Sequence, residues 1–170
     1  VKGSDSALKP YLLCSHMDVV PVELDKWNYP PFGGVLAEDG YIYGRGTIDV
    51  KNTLMSIMES LEYLLKGGFK PRRSFYIAFG HDEEGLGMDG AAQIAQVFLT
   101  KGIKEFEFLL DEGMTMFRDQ FPGIDATVAV VGVSEKGFLT LNVRARGEVG
   151  HSSMAPHETS ITKLARAVSK

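Results

Sequence analysis

Four short stretches carry the residue types from which metal centres and acid–base catalysts are built. "LLCSHMDVVP" (residues 12–21) ends an apolar run in His16 and Asp18; "GRGTIDVKN" (44–52) holds Asp49; "GHDEEG" (80–85) holds Glu83 and Glu84; "LLDEG" (109–113) holds Asp111 and Glu112. Taken singly, each has a plain structural explanation. His16-x-Asp18 and Asp111-Glu112 are polar strand ends, Asp49 is a helix N-cap, and Glu83-Glu84 is a solvated loop. Together they describe a chemistry. Carboxylates drawn to one place cannot all stay ionised without a cation between them. One histidine among several carboxylates suits zinc, with manganese or cobalt able to substitute, whereas calcium and magnesium prefer shells of oxygen alone. A carboxylate can bridge two such ions about 3.5–4 Å apart, and Asp49, central in the set, is the natural bridge. Of Glu83 and Glu84, one then binds metal and the other stays free to take a proton. Asp18, two residues from His16, can accept the second imidazole N–H and fix its tautomer.

For these stretches to meet, the chain must bring them to one edge. "KPYLLCSH" reads as a short buried strand, "SFYIAFG" as a second and "FEFLLD" as a third. Between them, Leu54, Ile57, Met58, Leu61, Leu64 and Leu65 mark one face of a helix from about Asp49 to Lys66, stopped by Gly67-Gly68. "AAQIAQVFLTK" is a second helix. Strands alternating with helices predict an α/β layer with a largely parallel sheet. In such sheets ligands bind at the carboxyl ends of the strands, which is where three of the four clusters fall, with Asp49 at a strand-to-helix passage. "WNYPPFGG" is loop, and "GVLAEDGYIYG" a hairpin turning at Asp39-Gly40.

After about Phe121 the texture changes. "ATVAVVGVSEKGFLTLNVRARG" predicts two strands around Ser134–Gly137, and "TSITKLARAVSK" begins an amphipathic helix through Ile161, Leu164, Ala165 and Val168. The expected division is therefore residues 1–130, a partial α/β domain, and residues 131–170, the beginning of an α+β domain. The chain opens on Val1 and closes within a predicted helix, so both ends read as cut and the whole as a piece of a longer protein.

Composition narrows the field. With 170 residues, 44% hydrophobic, and a net charge of −4 without a basic cluster, nothing in the chain invites nucleic acid or an anionic membrane. No apolar run approaches the roughly 18 residues of a transmembrane segment. The single cysteine, Cys14, excludes an internal disulfide and fits a small core position. One motif competes with the metal reading: "GLGMDG" (85–90) matches the G-x-G-x-x-G of dinucleotide-binding folds, and Asp111 follows 21 residues beyond Gly90. Asp82, Glu83 and Glu84 stand just before these glycines, where a pyrophosphate would meet like charge. A dinucleotide-dependent oxidoreductase is accordingly the remote alternative.

The stretches "SHMDVVP", "WNYPPFGG", "DGYIYGRGTIDVKN", "HDEEG", "LLDEG" and "GHSSMAPHETS", in this order and with these separations, resemble the di-zinc metallopeptidase family of aminoacylase, carnosinase, carboxypeptidase S and glutamate carboxypeptidase. The resemblance covers essentially the whole chain. "RRSFYIAFGHDEEG" and "VSEKGFLTLNV" look like a secreted animal branch of that family acting on N-acyl amino acids. The resemblance implies a zinc-peptidase-like catalytic domain followed by a lid or dimerisation domain, and two zinc ions in the complete site. It makes His16 a zinc ligand, Asp49 the bridging ligand and Glu84 a ligand of the other metal. Asp18 supports His16, and Glu83 is the general base. A further ligand falls in "LLDEG", where the family places an acid at either position; Asp111 is preferred and Glu112 stays open. His151 matches a lid histidine that reaches the partner subunit's site in dimeric relatives, so a homodimer is implied. His81 and His157 match no family role and read as surface or loop residues. The remaining ligand, a histidine further downstream, lies beyond this chain, which alone is expected to be inactive. The implied substrates are N-acyl amino acids, hydrolysed or also synthesised, or the short peptides of a carboxypeptidase or dipeptidase, and the implied location is extracellular.

Overall fold

A computed structural model describes residues 1–113, 116–154 and 156–169. Its centre is the strand β1, Tyr11–His16. The strand β4, Phe75–Gly80, runs parallel to it in register from Tyr11 opposite Phe75 to His16 opposite Gly80. The strand β5, Leu109–Leu110, lies parallel on its other side, Leu12 opposite Leu109 and Leu13 opposite Leu110, giving the order β4-β1-β5. The predicted third strand is longer than the two residues that pair. The association does continue upstream, with Glu107 N–H donating to the Pro10 carbonyl (2.8 Å) and Leu12 N–H to that of Phe108 (3.1 Å). Beyond β5 no further strand among the described residues takes up its outer hydrogen bonds, so the regular ladder stays short.

Parallel neighbours need crossover connections, and helices supply them. The helix α1, Asn52–Lys66, faces Tyr11, Leu13, Phe75 and Ile77 across a cavity of about 370 Å³. The helix α2, Ala91–Thr100, faces Leu12, Cys14, Ala78 and Leu109 across another of about 390 Å³. Alternate residues of β1 thus point to opposite helices, as the two-residue period of a strand requires. This part of the chain is the α/β arrangement that the sequence predicts, a parallel sheet flanked by helices. Tyr11 stacks between Phe75 and Phe108, with ring centroids 5.1 and 4.9 Å away. Leu12, Val50 and Phe75 are buried, and so are the polar Ser15 and His16. Cys14 is half-buried; burial first, and then the Asp111 charge, push its thiol up to about 11, so it is inert at neutral pH.

Two local predictions change. The first helix begins at Asn52 rather than near Asp49, because the preceding turn, Thr47–Lys51, leaves helical geometry at Asp49 (φ −116°, ψ 95°) and Val50 (φ −140°, ψ 40°). Asp49 is therefore no N-cap; its side chain is turned to another use. The second concerns the run 126–147. Only Val128–Ala129 (β7) pairs, antiparallel to Met116–Phe117 (β6), and no strand is formed from 130 to 149. The two predicted strands there have the right alternation, but among the described residues nothing offers them a partner edge. The hairpin before Asp49 forms as expected. Its strands β2 (Val35–Leu36) and β3 (Ile42–Tyr43) are joined where the Asp39 carboxylate accepts from Tyr41 N–H and Tyr43 O–H, and Gly40 takes φ +84°.

The chain divides into two compact units, Val1–Val131 and Gly132–Lys170. In the second, the helix α3, Ser160–Val168, starts at Thr159, whose hydroxyl accepts the Thr162 N–H, and Glu158 pairs with Arg166 at 2.6 Å. Lys170, the last residue of the predicted helix, lies outside the described residues.

Candidate metal centre

The parallel register sets the site. Because β1, β4 and β5 share one direction, His16, the turn after Gly80 and Asp111-Glu112 all emerge at the same edge of the sheet. The Thr47–Lys51 turn delivers Asp49 to that edge. His16 is 3% exposed. Its Nδ1 lies 3.0 Å from the main-chain carbonyl of Asp18, to which it donates, and this leaves Nε2 without the proton in the neutral ring. Around Nε2 stand Asp49 Oδ1 at 3.0 Å, Glu112 Oε2 at 3.3 Å and Glu83 Oε2 at 3.7 Å. Two overlapping sets have ligand atoms all within 4.8 Å of one another: His16, Glu83 and Glu112, and His16, Asp49 and Glu84.

Among the described residues no lysine or arginine pairs with any of these carboxylates; the ion-pair contacts of Asp49, Glu83 and Glu112 are with His16. Burial pulls the His16 imidazole toward the neutral form. The Asp18 carbonyl, Glu112, Glu83 and Asp49 together outweigh it and raise the pKa above its ordinary value. Burial pushes the carboxyls of Glu83 and Glu112 up despite the opposing pull of His16, and neighbouring acids add to the shift. One ring nitrogen ringed by several carboxylate oxygens, with their charges crowded and no basic side chain between them, fits a divalent cation well.

The structure places the sequence-predicted residues unevenly. His16, Asp49, Glu83, Glu84 and Glu112 come together. Asp111 does not join either set: its Oδ1 accepts the Glu112 N–H at 2.9 Å, and it lines the α2-side cavity near Cys14. Of the two acids in "LLDEG", Glu112 is the one whose carboxylate reaches His16. Asp18 supports the site differently from expectation. Its main-chain carbonyl is nearest to His16 Nδ1, with carboxylate Oδ1 at 3.5 Å. That carboxylate instead accepts the N–H groups of Glu83 and Glu84, both at 3.1 Å, and so holds the 3-10 turn Glu83–Gly85 in place. Burial alone would raise the Asp18 carboxyl; those two amide bonds bring it below its ordinary value. Sequence spacing cannot reveal this clamp, which joins residues 65 and 66 positions apart.

His151 belongs to the second unit, exposed beside the turn Ser152–Met154. Its Nδ1 accepts the Ser153 N–H at 3.3 Å and lies 2.8 Å from the Ser153 hydroxyl, so the neutral ring carries its proton on Nε2. His81 and His157 are exposed. The glycine-rich loop 85–90 has no room for a phosphate at its helix. The Asp82 carboxylate accepts the N–H groups of Asp89 and Gly90, both at 2.7 Å, and occupies the donors a dinucleotide would need.

An α/β protein that gathers one buried histidine and carboxylates from three further stretches at the carboxyl edge of a parallel sheet belongs to the class built around a metal centre. The chain belongs to Peptidase family M20/M25/M40, whose sequence profile matches residues 12–170. It is 52% identical over its whole length to the N-fatty-acyl-amino acid synthase/hydrolase PM20D1 of Xenopus tropicalis, covering 33% of that protein. It is 51% identical, over 99% of its length, to 33% of the probable carboxypeptidase S-like 2 of Dictyostelium discoideum. To carboxypeptidase S of Saccharomyces cerevisiae it is 41% identical, with 94% of this chain and 28% of that one covered. The chain thus spans about a third of the length of the curated relatives it matches.

Proposed function

We propose that this chain carries most of the metal site of a zinc-dependent hydrolase that cleaves the amide bond of N-acyl amino acids, and that the same site also forms that bond. The observation that carries the reading is the set of carboxylate oxygens from Asp49, Glu83 and Glu112 around Nε2 of the buried His16. His16, Asp49, Glu84 and the "LLDEG" acid, with Glu112 the better placed, are the residues to hold two ions, Asp49 bridging. Zinc, when bound, polarises the amide carbonyl and makes water more acidic. Glu83 takes the proton from the attacking water and returns it to the amine nitrogen as the carbon–nitrogen bond breaks. Asp18 keeps Glu83 in reach by binding its amide. We assign the second unit to the lid and His151, whose Nε2 carries the proton in the neutral ring, to stabilising the developing oxyanion, within a homodimer that is part of the same reading.

The preference for N-acyl amino acids rests on similarity to the synthase/hydrolase of Xenopus tropicalis, and an extracellular location is part of the same reading. A second reading, a metallo-carboxypeptidase or dipeptidase, is supported by the relatives named carboxypeptidase S. No helix among the described residues is long and apolar enough to cross a membrane.

The test uses the full-length protein with Glu83→Gln. Zinc content should stay at the wild-type level while turnover of a long-chain N-acyl amino acid falls about 10²–10⁴-fold, the size of a general-base contribution. Loss of zinc together with activity would mean that Glu83 is a ligand and Glu84 the base. Wild-type turnover of an N-terminally free dipeptide above that of the N-acyl amino acid would favour the peptidase reading.

A further inference from the structure

The loop that carries His16 and Asp18 and the turn that carries Asp49 come from distant parts of the sequence, yet they are fastened to each other at four successive points. At the first, the buried Ser15 hydroxyl donates to the carbonyl of the equally buried Val50 (3.2 Å), the residue next to Asp49. At the second, the Lys51 ammonium binds the Met17 carbonyl, between His16 and Asp18. At the third, Gly46 is buried at φ +86°, and a Cβ there would lie 2.5 Å from Val19 Cγ1, so the Val19 side chain packs directly against the Gly46 backbone. At the fourth, Arg45 reaches toward the Pro21 carbonyl (3.5 Å) while its guanidinium lies over the Trp27 ring, 5.2 Å from the centroid. Residues 15, 17, 19 and 21 thus meet residues 50, 51, 46 and 45.

We propose that Lys51 is a positioning residue for the metal centre. Through the Met17 carbonyl, and together with the Ser15–Val50 bond, it holds the His16–Asp18 loop at the spacing from Asp49 that lets both serve one cation. The inference rests on the metal reading above and assigns Lys51 no contact with substrate. The ammonium is well suited to this work. It is exposed, it adds a donor to a carbonyl that the helix and sheet ladders do not use, and its stem packs alongside Gly46. A lysine near an acidic cluster also has a simpler effect, direct repulsion of the incoming cation, and the two effects have opposite signs.

That opposition supplies the experiment. In the full-length protein, Lys51→Met keeps the stem and removes the charge and donor. Zinc affinity is measured by competition with a chelating indicator, and apo-protein unfolding by thermal denaturation. The positioning role predicts zinc binding weakened about 10–100-fold, as for other residues that orient ligands, with kcat reduced, KM little changed and the apo-protein melting temperature retained. Ser15→Ala should weaken zinc in the same direction. Lys66→Met, which removes a lysine from the far end of α1, serves as the control and should leave affinity as it was. Tighter zinc binding in Lys51→Met would show that only charge acts and would overturn the inference. So would unchanged affinity, or a lower apo melting temperature with unchanged affinity. A wild-type protein that binds no divalent cation would instead overturn the metal reading itself, and this inference with it.

Discussion

Residues 11–16 and residues 133–143, which run from the end of one predicted strand across Ser134–Gly137 into the next, are both expected from the sequence to lie in strands. Both carry residues that favour that conformation. In the structure they part company. The first is the middle strand of a parallel sheet, with β4 on one side, β5 on the other, a helix over each face, and Leu12 only 5% exposed. The second forms no strand, and Val133 is 91% exposed. Strand preference measures how well a side chain fits a pleated, half-covered surface, and that surface is made by neighbours. Where β4 and β5 provide it, the preference becomes structure; where, among the described residues, no edge is offered, strand-favouring composition forms no strand. Function follows the same division. The first segment ends in His16, whose Nδ1 is held by the Asp18 carbonyl and whose Nε2 faces the Asp49 carboxylate, while the unit containing the second holds His151 by bonds to one neighbouring serine.

Asp49→Ala should strike hardest at the ordered region. It removes the carboxylate nearest to His16 Nε2 and the ligand proposed to be shared by both cations. In the full-length protein, bound zinc measured by elemental analysis should fall to a trace and amide hydrolysis should vanish. Glu83, Glu84 and Glu112 would then repel one another without a compensating charge. Unchanged zinc content and turnover would break the comparison at its strongest point, because His16 would be held for some purpose other than metal.

His151→Ala probes the other unit and should separate binding from chemistry. The proposed role is donation from Nε2 to the oxyanion, so zinc stoichiometry should be that of the wild type while kcat falls about 10²–10³-fold, the usual cost of one oxyanion donor. Restoration of partial activity on mixing this variant with Glu83→Gln would show that the histidine acts across a dimer. A single mutant with full activity would leave His151 as an exposed loop histidine and confine the chemistry to the sheet edge.

How much of this was legible in the sequence depends on the range over which each feature is decided. The β1 strand, the hairpin at Asp39-Gly40 and the apolar stripe of α1 are settled within a few residues, and the pattern displays them. The convergence of His16, Asp49, Glu83 and Glu84 was also legible, since parallel strands put their carboxyl ends together whatever their separation. The finer roles were not. Asp18 looks like a partner for the imidazole because it is two residues away, but its carboxylate serves amides 65 and 66 positions on. Asp49 looks like the cap of α1 because helices often begin at aspartate, but the turn around it is non-helical and α1 starts at Asn52. The choice between Asp111 and Glu112 turns on side-chain direction at the end of β5, where adjacent residues point to opposite sides. The strands expected between 130 and 147 depend on a partner edge that periodicity cannot report.

The smallest expected effect is also the sharpest check on the contrast between the two runs. Leu12 and Val133 are both aliphatic residues in strand-like sequence, and alanine removes methyl or methylene groups from each. At Leu12 those groups are enclosed between β1 and α2, so Leu12→Ala loses transfer free energy and leaves a cavity. A destabilisation of about 2–5 kcal/mol is expected. At Val133 the side chain is exposed, so Val133→Ala should change stability by less than about 0.5 kcal/mol. Urea unfolding of the 170-residue chain and its two variants, compared at equal m-value, measures both. A cost above about 1 kcal/mol for Val133→Ala would place Val133 in a packed environment. That result would show that the 133–143 run is held by neighbours after all, as β1 is, and the distinction drawn between the two regions would fall.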